Sequence, residues 1–229
     1  MTTHDFTALP DLASRALGGS VSTANDELFA QRENLIKAEA PFFDPNEFGH
    51  KGKVYDGWET RRRRDDGHDY AIVRLGTPGI IHGIIVDTAY FKGNYPPFVS
   101  IEAASIEGYP SVEEIMKADW QTIVEKSPAE GHTANAYAVA DRHRWTHVRL
   151  SIYPDGGVAR LRVHGEVVPD PRFLDGTLDL DTRKLGELLA IFQVHSSLNL
   201  PMRFSGKLLR TDDDDASRVM ATDRMTDAA

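Results

Sequence analysis

The chain has no cysteine among its 229 residues, which removes disulfide scaffolds, thiolate nucleophiles and cysteine-ligated zinc from consideration. Long apolar runs are missing as well: none approaches the ~18 residues of a membrane-spanning helix. The start, Met1-Thr2-Thr3-His4-Asp5, has neither the basic nor the apolar region of a cleaved secretion signal, so a cytoplasmic location is expected. Positive charge is in deficit, with 26 Lys and Arg against 35 Asp and Glu and a formal net charge of -9. That balance argues against a nucleic-acid or membrane-surface partner, although a local basic patch can still hold one small anion. No G-x-x-x-x-G-K-[ST], no G-x-G-x-x-G after a strand and no G-x-S-x-G elbow occurs, so nucleotide chemistry and serine hydrolysis drop out. What is present, 41% hydrophobic and 27% charged residues, is the composition of an ordinary globular protein with room for one sizeable domain.

Composition shifts near Pro169-Asp170-Pro171. All 3 Trp, all 7 Tyr and 15 of the 18 Gly precede residue 170, whereas the remainder carries the run Asp212-Asp213-Asp214-Asp215 and a polar end. The expected organisation is a packed domain over 1–170 and an appendage over 171–229. Within the first part, β-type runs at 70–75, 80–91, 98–106, 146–153 and 158–163 are separated by turn residues at 76–79, 92–97 and 154–157. In Val148-Arg149-Leu150-Ser151-Ile152 and Ala159-Arg160-Leu161-Arg162-Val163 apolar and polar side chains alternate, as half-buried antiparallel strands require. Asp155-Gly156 is read as a hairpin turn between these two runs. Helical pattern is confined to 26–38 and to 112–118, the latter opened by Ser111 as N-cap with Glu114 three residues on. The expected fold is all-β, an antiparallel jelly-roll β-sandwich with short helices and an irregular C-terminal tail.

The densest polar segment runs from Gly49 to Asp69 and holds four consecutive arginines, Arg61 to Arg64. Such a run is either a solvated basic stretch or a ligand-binding one. In extended backbone Arg61 and Arg63 share one side and Arg62 and Arg64 the other. One pair can then enter a pocket while the other meets acids such as Asp65 and Asp66, and a guanidinium fork matches a small carboxylate ligand. Asp56, Glu59 and Asp69 flank the run, as acceptors for urea-like N–H donors or as ion-pair partners of the arginines. His50 and His68 are candidates for proton transfer or for loop caps. Between the strands, Asp87, Asn94 and Tyr95 lie on a loop stiffened by Pro96 and Pro97, either the wall of a polar site or a cover for the core edge. His50, His68, His82, His132, His143, His147 and His164 are scattered, without a helical His-x-x-x-His. No metal ligands and no cofactor are predicted, and a divalent ion is left open.

Several long motifs, in one order along the chain, resemble the allantoicase family. They are Pro10-Asp11-Leu12-Ala13-Ser14-Arg15-Ala16-Leu17-Gly18-Gly19, Ala24-Asn25-Asp26-Glu27, Gly49-His50-Lys51-Gly52-Lys53-Val54-Tyr55-Asp56-Gly57-Trp58-Glu59-Thr60-Arg61-Arg62-Arg63, Val86-Asp87-Thr88-Ala89-Tyr90-Phe91-Lys92-Gly93-Asn94-Tyr95-Pro96-Pro97 and Tyr153-Pro154-Asp155-Gly156-Gly157-Val158-Ala159-Arg160-Leu161-Arg162-Val163. The resemblance implies two tandem galactose-binding-like jelly-roll repeats, a hydrolase converting allantoate to ureidoglycolate and urea in purine catabolism, and a homo-oligomer. It also implies where to look for the site. His50, Glu59 and Asp87 are the expected catalytic groups, and Lys51, Asp56, Trp58, Arg61, Arg62, Asn94 and Tyr95 the expected substrate-binding ones. Arg61 or Arg62 would take the substrate carboxylate, Glu59 and Asp87 the ureido N–H groups and Asn94 a ureido carbonyl, with His50 or Glu59 moving protons.

A complete member would continue into a second jelly roll. Here Asp179-Leu180-Asp181-Thr182-Arg183-Lys184-Leu185-Gly186 echoes Asp11-Leu12-Ala13-Ser14-Arg15-Ala16-Leu17-Gly18, and the echo then stops. The expectation is a member truncated early in its second repeat, with 171–229 largely irregular apart from a helix around 185–194. The alternative function is a catalytically inactive jelly-roll module that binds a small molecule or a carbohydrate.

Overall fold

In the computed structural model, residues 5–170 are described. The described residues up to Val168 form one compact unit. The echo at 179–186, the helix expected around 185–194 and the irregular tail lie outside the described residues.

The strands are β1 (Ser20–Ala24), β2 (Phe48–Gly49), β3 (Gly52–Lys53), β4 (Trp58–Glu59), β5 (Asp69–Asp87), β6 (Phe98–Ala104), β7 (Gln121–Pro128), β8 (Ala134–Ala138), β9 (Arg144–Tyr153), β10 (Gly157–Val158) and β11 (Arg160–Val167). All pairings are antiparallel. The largest sheet runs β1-β5-β9-β6-β7, and β11 and β8 pair with β5 outside that path. Residues 71–74 of β5 lie between β1 and β9, whereas 83–87 lie between β11 and β8. One long strand therefore serves two layers. Val148, Leu150 and Ile152 of β9, Val99 and Ile101 of β6, Ile84 and Val86 of β5, and Leu161 and Val163 of β11 all point into one core. Each fully buried aliphatic chain contributes about 1.5–3 kcal/mol. This is an all-β jelly-roll sandwich, as the alternation in 148–152 and 159–163 predicts.

Three local expectations are corrected. The turn expected at 76–79 is part of β5: between Arg74, opposite His147, and Gly79, opposite Trp145, the strand carries four residues against the single Thr146 of β9. The bulge exists because the chain start docks there. Gly76 donates its N–H to Leu12 O at 2.8 Å, and a Cβ on Gly76 would lie 2.5 Å from Leu17 O. Asp155-Gly156 is not a hairpin turn, since β9 pairs with β5 and β6 while β11 pairs with β5. Of the helix expected over 26–38, only the 3-10 turn Arg32–Ile36 forms. Upstream of it the backbone is held extended, because Ala30 pairs with Glu59 and Asp26 accepts the amides of Leu28 and Arg61, each at 3.0 Å.

Helix α1 (Val112–Met116) starts where expected. Ser111 N–H donates to Glu114 Oε2 at 2.7 Å and Ser111 Oγ accepts from Glu114 N–H at 3.3 Å, the reciprocal pair of a capping box. Strands β1, β7 and β8 were not anticipated; β7 and β8 mix polar and apolar residues without a clean period of two.

Candidate functional site

The short pair β4–β10 carries the group with the most telling chemistry. Glu59 is bonded through its backbone to Ala30 on one side and registered against Gly157 on the other, so its side chain is delivered by a strand fixed on both edges. Its neighbours Trp58 and Thr60 are buried, while Glu59 is half-buried and Arg61 exposed. Alternation therefore turns Glu59 and Arg61 outward together. Asn94 Nδ2 donates to Glu59 Oε1 at 2.6 Å, and Glu59 has no ion pair among the described residues. Burial pushes its carboxyl above the ordinary range, and the Asn94 hydrogen bond offsets part of that rise. A carboxyl in this state exchanges protons closer to neutrality than a solvated one, which suits it to acid–base work.

The arginine run divides by alternation. Arg61 Nε donates to Asp26 Oδ2 at 2.5 Å. Arg63 donates to Asp69 Oδ1 at 2.5 Å and to Asp65 Oδ2 at 2.9 Å. The guanidinium groups of Arg62 and Arg64 make no hydrogen bond or ion pair among the described residues. All four border a cavity of about 570 Å³ with Asn25, Asp26, Asp65 and Asp69. Asp26 fixes Arg61 through Nε and leaves both terminal nitrogens of the fork available. Burial alone would raise the Asp26 carboxyl, but the amides of Leu28 and Arg61 together with the Arg61 guanidinium hold it below the ordinary range. Of the acids expected to meet the arginines, Asp65 and Asp69 do so; Asp26 was not among them, although Ala24-Asn25-Asp26-Glu27 is one of the resembling motifs.

Other expected site residues have different surroundings. Trp58 is fully buried and donates Nε1–H to Asp26 O at 2.7 Å, so it supports the site from the core. Asp56 accepts from Arg160 Nη2 at 2.5 Å, Lys37 Nζ at 2.8 Å and Phe42 N–H at 3.2 Å. Burial opposes its charge, yet Arg160 and Lys37 hold its carboxyl below the ordinary range. His50 is exposed and has no hydrogen bond or ion pair among the described residues. Lys51, next to it in the turn of the β2–β3 hairpin, donates to Leu28 O. Asp87 caps the end of β5 by accepting Ala89 N–H at 2.8 Å, and Asn94 O accepts Gly157 N–H at 2.7 Å. Tyr95 packs its ring on Gly131, where a Cβ would lie 2.4 Å away. The structure thus brings Glu59 and Asn94 together with Arg61 beside them, and gives Asp56 and Trp58 to the framework.

His68 is held below the ordinary imidazole range by burial, with Arg63 and Arg149 adding to the effect. Its ring lies 4.7 Å from that of Tyr153, over a second groove of about 510 Å³ that also holds Ser100, Glu102 and Arg149. Among the described residues, no group of three or more His, Asp or Glu side chains is placed to hold a metal ion, and no helix is long and apolar enough to cross a membrane.

The allantoicase repeat matches residues 10–168, the span of every strand and helix described above. A probable allantoicase of Nocardia farcinica is 54% identical over 187 residues, which cover 80% of this chain and 57% of that protein. An allantoicase of Dictyostelium discoideum is 44% identical over 161 residues, covering 70% and 43%. The crystal structure of allantoicase from Saccharomyces cerevisiae superposes with a TM-score of 0.62 at 38% identity, over 72% of this chain and 52% of that one. The chain spans about half the length of the curated relatives it matches. On the match over 10–168 and these identities, the chain belongs to the allantoicase family.

Proposed function

We propose that this chain binds allantoate and hydrolyses it to ureidoglycolate and urea at the ledge formed by Glu59, Asn94 and Arg61. The observation that carries the reading is Glu59: a half-buried carboxyl without a counter-ion, raised by burial and held by Asn94, in a chain of the allantoicase family. Allantoate presents one carboxylate and two ureido groups on a single carbon. Arg61, fixed by Asp26, offers its terminal nitrogens to the carboxylate, and Arg62 supplies a second guanidinium without a partner among the described residues. Asn94 and Asp87 face the ureido groups, with Lys51 and Tyr95 on the rim. The bond from the central carbon to one ureido nitrogen breaks and the departing nitrogen takes a proton, while water supplies the hydroxyl that replaces it on that carbon. Glu59 in its protonated form donates that proton and as carboxylate accepts one from the water. His50 is the secondary candidate for the second transfer. Such proton transfers contribute roughly 10²–10⁴-fold each.

The proposed working form is a homo-oligomer. Its support is the set of exposed apolar side chains Leu28, Phe29, Phe42, Phe48 and Val54, which a lone chain would leave in water. The test is urea release from allantoate by the purified chain beside Glu59→Gln and an Arg61→Ala/Arg62→Ala variant, with and without chelator. Turnover that both variants abolish supports the reading, and chelator sensitivity adds a metal ion to it. Saturable allantoate binding without urea release would favour the binding-module alternative.

A further inference from the structure

The 88–95 loop, which supplies Asn94 to Glu59, is gripped at three points by one neighbouring turn, residues 130–133. Thr88 Oγ1 donates to Glu130 O at 2.6 Å, and Thr88 N–H donates to Thr133 O at 3.0 Å. Tyr90 N–H donates to His132 Nδ1 at 2.8 Å. Tyr95 lies on Gly131, where no side chain would fit. Tyr90 has φ 69° and His132 φ 55°, a left-handed conformation that neither residue type adopts without cost, so both are held there by their surroundings. His132 N–H also donates to Thr88 O and Phe91 O, both at 3.1 Å.

The left-handed turn at Tyr90 has a consequence for the rings. Tyr90 and Phe91, consecutive in sequence, stand at the two ends of one aromatic stack: Tyr90 to Phe43 at 5.6 Å, Phe43 to Tyr55 at 5.1 Å and Tyr55 to Phe91 at 4.9 Å. Phe43 and Tyr55 flank the β2–β3 hairpin that carries His50 and Lys51. Phe91, fully buried, fills the space beside Gly157, where a Cβ would come within 2.0 Å of its ring. Gly157 is the residue registered against Glu59, and its N–H is held by Asn94 O. A continuous set of contacts therefore leads from the His132 imidazole through Tyr90 and Phe91 to the backbone that aims Glu59 and Asn94.

We infer that His132 is a positioning residue: by accepting the Tyr90 N–H at Nδ1 it latches the 88–95 loop in the form that places Asn94 on Glu59. The inference rests on the reading of Glu59 given above. An imidazole that accepts at Nδ1 carries its proton on Nε2. The latch therefore needs an unprotonated Nδ1 and a residue that tolerates positive φ. Asparagine meets both needs with its side-chain carbonyl and its tolerance of the left-handed region, whereas alanine meets neither.

The experiment compares the full chain with His132→Ala and His132→Asn by amide hydrogen exchange and by urea release. In His132→Ala the Tyr90 and Gly157 amides are expected to exchange about 10-fold faster, as in local opening, while the β5 and β9 core amides keep their protection. Turnover falls about 10-fold in kcat with KM within about 2-fold, and His132→Asn restores both measurements. Faster exchange at Tyr90 with Gly157 unchanged would overturn the inference, as would failure of His132→Asn to rescue. General loss of protection across β5 and β9 in His132→Ala would mark a merely structural histidine and also overturn it. If the unsubstituted chain releases no urea, the functional reading fails by itself, and the exchange at Gly157 still decides the latch.

Discussion

Asp56 and Glu59 stand three residues apart on the same segment, and their carboxyls live in opposite electrostatic conditions. Asp56 is surrounded by Arg160, Lys37 and the Phe42 amide and is held in its charged form. Glu59 has one neutral partner, Asn94, and is pushed toward its protonated form by burial. The first closes the corner between the 37–56 segment and β11, with Arg160 also donating to Glu39 O at 3.0 Å and Asp56 O at 2.9 Å. The second is left poised. The lesson is that a carboxylate whose acceptors are filled by cations belongs to the framework, whereas one that is buried with a single amide partner is available for chemistry.

The largest expected effect is on turnover. Glu59→Gln keeps the shape and the Asn94 contact but removes the proton, so urea release should fall by roughly 10²–10⁴-fold without loss of stability; a variant that stayed fully active would erase the distinction between the two acids. Arg160→Met tests the other side. Arg160 is 1% exposed, and its loss takes one cation from the Asp56 carboxylate and the donor from four carbonyls, those of Glu39, Ala40, Asp56 and Ala159, costing about 3–5 kcal/mol in denaturant unfolding. A cost under about 1 kcal/mol would show that Lys37 alone suffices for Asp56.

A smaller effect sharpens the same contrast among the arginines. Removing the fork in Arg61→Ala is expected to lower kcat/KM for allantoate by about 10–100-fold, the range of a hydrogen bond to a charged group. Arg63→Ala should act instead on unfolding, because Arg63 is spent on Asp65 and Asp69. Equal effects of both substitutions on KM and on stability would remove that division.

The smallest effect is in the pH dependence of stability. Asp56 has a folded pKa below its unfolded value, so its contribution is present above the ordinary aspartate range and is lost as pH falls through the depressed folded value. Glu59 has a folded pKa above its unfolded value, so stability is lost as pH rises from the ordinary glutamate range through the raised folded value. Glu59→Gln should therefore melt higher than the unsubstituted chain at pH 7, by up to about 4 °C, and show no such advantage at pH 3. The opposite sign would mean that Glu59 is stabilised in its charged form.

Much of the framework was legible along the chain because it depends on local period and local capping. The alternation in 148–152 and 159–163 marked two core strands, and Ser111 with Glu114 marked the start of α1. The alternation of four arginines points to a split into two pairs but not to which pair meets the acids; the structure gives that place to Arg61 and Arg63. The acid that receives Arg61 was not legible, since Asp26 lies 35 residues away and nothing in the run points to it. Asp56 and Trp58 were read as ligand contacts because sequence shows a residue's chemistry and not how many partners reach it.

By itself, the sequence determined an all-β fold, an antiparallel sandwich period and the segments, 49–69 and 86–97, where the polar chemistry is concentrated. Only the tertiary structure decided that 76–79 is a bulge within β5, that β9 and β11 are not a hairpin, that Glu59 and Asn94 meet, and that His132 holds Tyr90. The physical reason is that period and capping are set by residues within about one turn of each other. Register, counter-ion choice and burial are set by residues brought together from distant parts of the chain.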